Sequence, residues 1–156
     1  MRFRLHRTLA FLALMSLPAT GAAQSDTRVG YDSSALRLEW HFGDMRIVRG
    51  LSGPIVGSVG VFHTPDLVKI VEPSENAVRE AREFKRNHLP GSLAAMVGGL
   101  IVGASIAIAS RNDPSWELAS AELVGAGLAL YGGFRLNRAY NALSKSIWWY
   151  NRDLRR

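Results

Sequence analysis

Between Leu89 and Ser110 the chain runs for 22 residues without a charged side chain. A helix rises 1.5 Å per residue, so a run of this length covers roughly the 30 Å hydrocarbon thickness of a bilayer. After a polar turn at residues 111–115 comes a second apolar run with glycines. It spans residues 116–134 but is interrupted by Glu117 and Glu122, which makes it a marginal span. Small residues recur at intervals of four in both runs: Ala95, Gly99, Gly103 and Ala107 in the first, Ala121, Gly125, Ala129 and Gly133 in the second. Residues four apart share a helix face, so each run offers a smooth stripe along which another backbone can approach, in the manner of a glycine zipper. The expectation is a transmembrane helical hairpin, entered at Asp113-Pro114 by a cap and a first-position proline. Glu122 would lie opposite Ser105 as an intramembrane polar pair.

The N-terminus bears on compartment. Arg2, Arg4 and Arg7 precede the apolar run from Leu9 to Leu17, Pro18 breaks it, and Gly21-Ala22-Ala23 supplies small residues at a cleavage position. That order of parts reads as a secretory signal peptide over residues 1–23, of bacterial style, and places the mature chain in the cell envelope. There is no cysteine, which removes disulfides, thiolate metal sites and cysteine nucleophiles. The formal net charge is +6, concentrated in the leader and the tail, while residues 24–88 balance. A basic nucleic-acid surface is therefore not expected, and nucleic acid is not a predicted partner.

Residues 24–73 read as a small β-rich head. Leu36, Leu38, Trp40 and Phe42 alternate with Arg37, Glu39 and His41, the period of a strand with one buried face. Gly43-Asp44 suits a two-residue turn, Met45 to Arg49 a returning strand, and Ile55 to Phe62 a third, with Gly57 and Gly60 marking bulges or tight contacts. Thr64-Pro65-Asp66 reads as the start of a short helix.

Ser74 caps a lead-in helix over residues 74–88 with a narrow apolar face of Ala77, Val78, Ala81 and Phe84. Arg82, Lys85 and Arg86 gather near its end, suited to lipid phosphates. Pro90-Gly91 predicts a break before the first span, residues 89–110. Residues 135–156 continue the second helix as a basic amphipathic tail, with a stripe of Leu136, Tyr140, Leu143, Ile147, Tyr150 and Leu154 that should pack on the 74–88 helix. Trp116, Trp148, Trp149 and Tyr150 are expected as interface anchors. A cleaved leader puts both flanks of the hairpin outside, yet those flanks carry most of the basic residues, against the positive-inside rule. The leader pattern is the more specific of the two signals, and export is the reading adopted.

The stretch from Ser74 to Leu154 resembles a family of small, uncharacterised exported bacterial membrane proteins. The residues that carry the likeness are Asn76-Ala77, Gly98-Gly99, Gly103, Pro114-Ser115-Trp116, Gly125, Gly127 and the closing Tyr150-Asn151. The resemblance implies the hairpin architecture and no catalytic residues.

No nucleophile motif, phosphate loop or paired histidines occur, and the mature histidines His41, His63 and His88 stand alone. No catalytic, metal or cofactor site is expected. The fold class expected is α+β, a β head plus a transmembrane hairpin with long extramembrane extensions. The function expected is that of a non-enzymatic membrane-anchored envelope protein. Its expected partners are membrane lipids, further copies of itself through the Gly/Ala faces, and an unidentified envelope protein. The alternatives are a small pore with Glu122 facing a lumen, and a soluble periplasmic interaction module with the hairpin buried.

Overall fold

A computed structural model describes residues 30–41, 43–110 and 115–156. The expected leader (1–23) and most of the inter-helix turn lie outside the described residues, as does Phe42. The class is α+β: one three-stranded antiparallel sheet followed by long helices.

Strands β1 (Leu36–His41), β2 (Asp44–Arg49) and β3 (Ile55–Val59) stand in the order β1-β2-β3. The alternation read from the sequence sets the register: Leu36, Leu38 and Trp40 face Arg49, Ile47 and Met45 across the first pair. Asp44 is the first residue of β2, paired with His41, so it lies in the strand rather than in the expected Gly43-Asp44 turn. Gly43, just before it, has φ 77°, a left-handed value that glycine adopts without a Cβ penalty. Ile47 pairs with Gly57, where the absence of a side chain lets the chain fold back over β3. A Cβ on Gly57 would stand 2.7 Å from the Pro65 Cβ. Pro65 is thus packed against the sheet outside the helix. Asp66 is the N-cap residue of the one-turn helix α1 (Leu67–Ile70), a shift from the expected Thr64 cap.

Helices α2 (Glu75–Ala109) and α3 (Trp116–Asp153) form one long antiparallel pair. Ser74 caps α2 as expected, accepting from the Ala77 N–H. Ser115 caps α3, accepting from the Leu118 N–H, so α3 starts two residues later than an Asp113 cap would place it. The break expected at Pro90-Gly91 does not occur, and lead-in helix and first apolar run are one element. Pro90 lacks only the N–H that would bond to the carbonyl of Arg86, and it is exposed. Buried His88 below it and buried Gly91 and Ser92 above it hold the axis through the missing bond.

The core sits at the lower end of the pair. Ala77, Ala81 and Phe84 of α2 interlock with Ala139, Ala142, Leu143, Ile147 and Tyr150 of α3, and the sheet contributes Leu36, Met45, Ile47 and Val59. The tail stripe packs on the 74–88 segment as expected, with Leu136 and Tyr140 half-buried at its margin and Leu154 exposed. Three polar ties fix the assembly. The Ser146 hydroxyl donates to the carbonyl of Ala77 (2.9 Å), and the Ser74 hydroxyl donates to Asp153 (2.6 Å). The Asn151 amide both accepts from the Leu36 N–H and donates to the Leu36 carbonyl, each at 2.7 Å. A side-chain amide here does what a neighbouring strand would do for β1.

Asn151→Leu leaves both backbone groups of buried Leu36 unpartnered. We expect a loss of about 2 kcal/mol or more of unfolding free energy, read by chemical denaturation in detergent. A loss within experimental error would show the bridge to be dispensable.

Candidate functional site: an apolar hairpin and its polar collar

Above His88 the structure changes character. From Leu93 to Phe134 the buried ones among the described residues are Gly98, Ser105, Gly125 and Gly132. Leu100, Ile106, Leu123, Val124, Leu130 and Phe134 are all exposed. The apolar stretch of α2 is long and apolar enough to cross a membrane, yet 17% of it is buried. Among the described residues it is the one helix that meets both conditions; α3, with Glu117 and Glu122, does not.

The seam itself is made of backbone. A Cβ on Gly98 would stand under 3.0 Å from the backbones of Ala129 and Gly125, and one on Gly132 equally close to those of Ala95 and Gly91. Gly91 and Gly125 are similarly crowded, by Arg135 and Ile101 respectively. The stripe is therefore Gly91, Gly98, Ser105 on α2 and Gly125, Gly132, Ala139 on α3, seven residues apart. This corrects the four-residue stripe. Of its members, Ala95, Gly125 and Ala129 meet the partner helix, and Ala121 is half-buried. Gly99, Gly103 and Gly133 have open space where a side chain would be, and Ala107 is exposed. The reason is angular: a step of four residues turns about 40° past a full circle, whereas a step of seven falls only about 20° short of two. Over several steps the four-spaced set walks off the seam.

The anchor residues are redistributed too. Trp116, 76% exposed, stands at the first residue of α3. Trp148 and Trp149 lie about 20 Å further along α3 than Phe134, beside Arg152, whose guanidinium stacks 3.8 Å over the Trp149 ring. Tyr150 is buried in the core. These three are not at the edge of the apolar zone. That place belongs to Trp40, 77% exposed at the tip of β1, whose ring lies 6.4 Å from that of Tyr140. Val61 and Phe62, exposed just beyond β3, extend the same edge of the sheet. Glu122 is half-buried and Ser105 buried at about the same level, with no hydrogen bond between them.

A polar collar lies along one side of the boundary. The Asn87 amide, 2% exposed, donates to the carbonyl (2.9 Å) and the carboxylate (2.8 Å) of Glu83, and accepts from Arg135 Nη1 (2.9 Å). Arg135 Nε donates to the Tyr131 hydroxyl at 2.9 Å. Hydrogen bonds from Arg86 and Asn87 hold the Glu83 carboxyl below its ordinary range. On the other side His88 is fully buried between Phe84 (ring centroids 5.0 Å apart) and Tyr140 (5.9 Å), and neither ring nitrogen has a hydrogen-bond partner. Burial pushes its pKa down, favouring the neutral ring.

No family model, curated protein or solved structure matches this chain. The collar was not visible as a unit in the sequence: Asn87 and Arg135 are 48 residues apart. The available signal was the antiparallel register, which pairs positions 87 and 135 once the glycines are aligned.

Two predictions follow from this geometry. Gly98→Val and Gly132→Val should each cost about 3 kcal/mol or more by forcing the backbones apart. Gly99→Ala should be neutral or stabilise by up to about 1 kcal/mol through helix propensity. Thermal unfolding in detergent distinguishes them, and equal effects at Gly98 and Gly99 would refute the assigned seam. For His88, the unfolded chain takes up a proton near pH 6.5 while the folded chain resists it. Stability should be full above about pH 6.5 and fall as pH drops from there toward the lowered folded value. His88→Leu should flatten that slope between about pH 6.5 and pH 5, above the titration of ordinary carboxylates. An unchanged slope would show that His88 does not report this burial.

Proposed function

We propose that this chain is a membrane-anchored envelope protein, non-enzymatic, whose apolar hairpin embeds in a bilayer and holds the sheet and lower helical body at one face. The observation that carries the proposal is the exposure of apolar side chains around a glycine-seamed helix pair over about 30 Å of its length. In water such a surface is a liability, and glycines weaken a helix. In lipid the apolar side chains are solvated, backbone bonds stay within each helix, and close backbone approach becomes the means of association.

The same observation speaks against a soluble module with a buried hairpin. The boundary chemistry supports the reading: Trp116 at one end, and Trp40, Tyr140, Arg135 and Arg138 at the other, are residue types favoured at membrane–water interfaces. The signal-peptide pattern assigns the face bearing the sheet to the outside, and the resemblance to small exported proteins agrees with that assignment. The antiparallel pair puts the sheet and the basic tail at the same end, as a two-pass hairpin requires. Self-association would use the outward faces, where Gly99 and Gly103 leave room.

The absence of cysteine makes a direct test available. In the full chain expressed in bacteria, Leu100→Cys should resist a membrane-impermeant maleimide until detergent is added, while Ser144→Cys should label from outside. Both variants should remain in the pellet after alkaline carbonate. Equal labelling at the two positions, or release by carbonate, would overturn the proposal.

A further inference from the structure

We propose that Arg135, Arg138 and Arg86 form a binding site for the phosphodiester headgroup of an anionic phospholipid, built on the buried amide of Asn87. This rests on the membrane reading above and names the ligand of its collar.

Arg135 directly follows Phe134, the last residue of the apolar zone, so on the membrane reading its side chain would stand at the depth of lipid phosphates. It is held there by two neutral groups. Asn87 Oδ1 takes one Nη1 proton, and the Tyr131 hydroxyl takes the Nε proton, with the guanidinium 5.4 Å from the Tyr131 ring centre. Asn87 is itself fixed from behind, since its amide nitrogen donates to the backbone carbonyl and to Oε1 of Glu83. The guanidinium is thus oriented by groups that do not neutralise it, and its remaining N–H groups on Nη1 and Nη2 stay available as a fork. A fork of parallel donors matches two phosphate oxygens.

Neither Arg135 nor Arg138 has a carboxylate within ion-pair distance among the described residues. The nearby Glu83 is engaged by Arg86 and Asn87. Arg86 and Arg138 act on the Glu83 carboxylate and Arg135 is joined to it through Asn87, so three guanidinium groups share one carboxylate and the collar carries excess positive charge. At a membrane boundary, where the dielectric is below that of water, the excess is relieved by an anion. A phosphate supplies the charge and the acceptor geometry together.

The test uses the purified full chain in neutral detergent, titrated separately with phosphatidylglycerol, phosphatidylcholine and inorganic phosphate, with bound molecules counted by native mass spectrometry. Wild type should retain phosphatidylglycerol over phosphatidylcholine by at least about tenfold, the value of one good charge-assisted hydrogen bond. Arg135→Gln should bring that ratio close to one. Arg135→Lys should lower it as well, because it keeps the charge and loses the fork. Arg138→Gln is an exposed change with no side-chain hydrogen bond to lose, and it keeps the fold; it should lower the ratio severalfold. Equal retention of the two lipids by wild type, or a ratio unmoved by both glutamine variants, would overturn the site. Displacement of phosphatidylglycerol by low-millimolar inorganic phosphate would overturn the lipid assignment in favour of a soluble phosphate. Maleimide protection of Leu100→Cys separates the two levels: if it holds while lipid selectivity is absent, this site fails and the membrane reading stands.

Discussion

Where Gly98 passes Gly125 and Ala129, and Gly132 passes Gly91 and Ala95, the backbone of α2 lies against the backbone of α3. Contact between backbones is unforgiving in register, because sliding one helix by a residue brings a Cβ into a space that has none. The glycines therefore set which residue stands opposite which along the entire pair. The same register that joins Gly98 to Ala129 sets Asn87 against Arg135, Ala77 against Ser146 and Ser74 against Asp153. Through Asn151 it also places β1, and with β1 the sheet. The polar ties are weak individually, each net worth about 1 kcal/mol. They are consistent with one another because the seam has already chosen the alignment.

The pair is two materials end to end. Below His88 the seam holds alanine, phenylalanine, leucine, isoleucine and tyrosine, and the sheet covers one side of it. That half gains stability from removing apolar surface from water. Above His88 the seam holds glycine and serine, and the large apolar side chains point outward. Collar and aromatic tip mark the change, with a buried neutral imidazole on one side and a positioned guanidinium on the other. His88 and Arg135 show opposite solutions for a basic side chain at that level: one is buried between rings with no hydrogen-bond partner, the other donates hydrogen bonds to Asn87 and Tyr131.

Much of this was legible in the chain. Alternation from Leu36 to Trp40 marked β1, the charge-free run marked the apolar half of α2, and the Leu143, Ile147, Tyr150 spacing marked the lower packing. What was misread has definite causes. Spacing by four is conspicuous but turns about 40° further round the helix at each step, so Gly99 and Gly103 looked like seam residues and are not. Pro90 signals a local preference that packing on either side outweighs. Trp148 and Trp149 have the composition of interface anchors, but depth along the helix decides that role, and depth is known only once the seam has located the boundary. Asn151 offered no signal of its own as a strand surrogate, because its partner lies 115 residues away.

These two halves depend differently on their surroundings. The lower half carries its own core, built by removing apolar side chains from water. The upper half buries almost no side chains, and its glycines oppose helix formation in water. Lipid reverses both terms: an unpaired peptide group is expensive there, so the helices persist, and the outward leucines, isoleucines and valines meet a solvent like themselves. What remains to bring the helices together is close packing, which the glycine seam supplies. In lipid the glycine seam would thus set, for the upper half, the same register that the lower half shares. Removing side chains from the seam is the common device behind both effects. It forgoes hydrophobic stabilisation that water would have provided, and gains an alignment that does not need water.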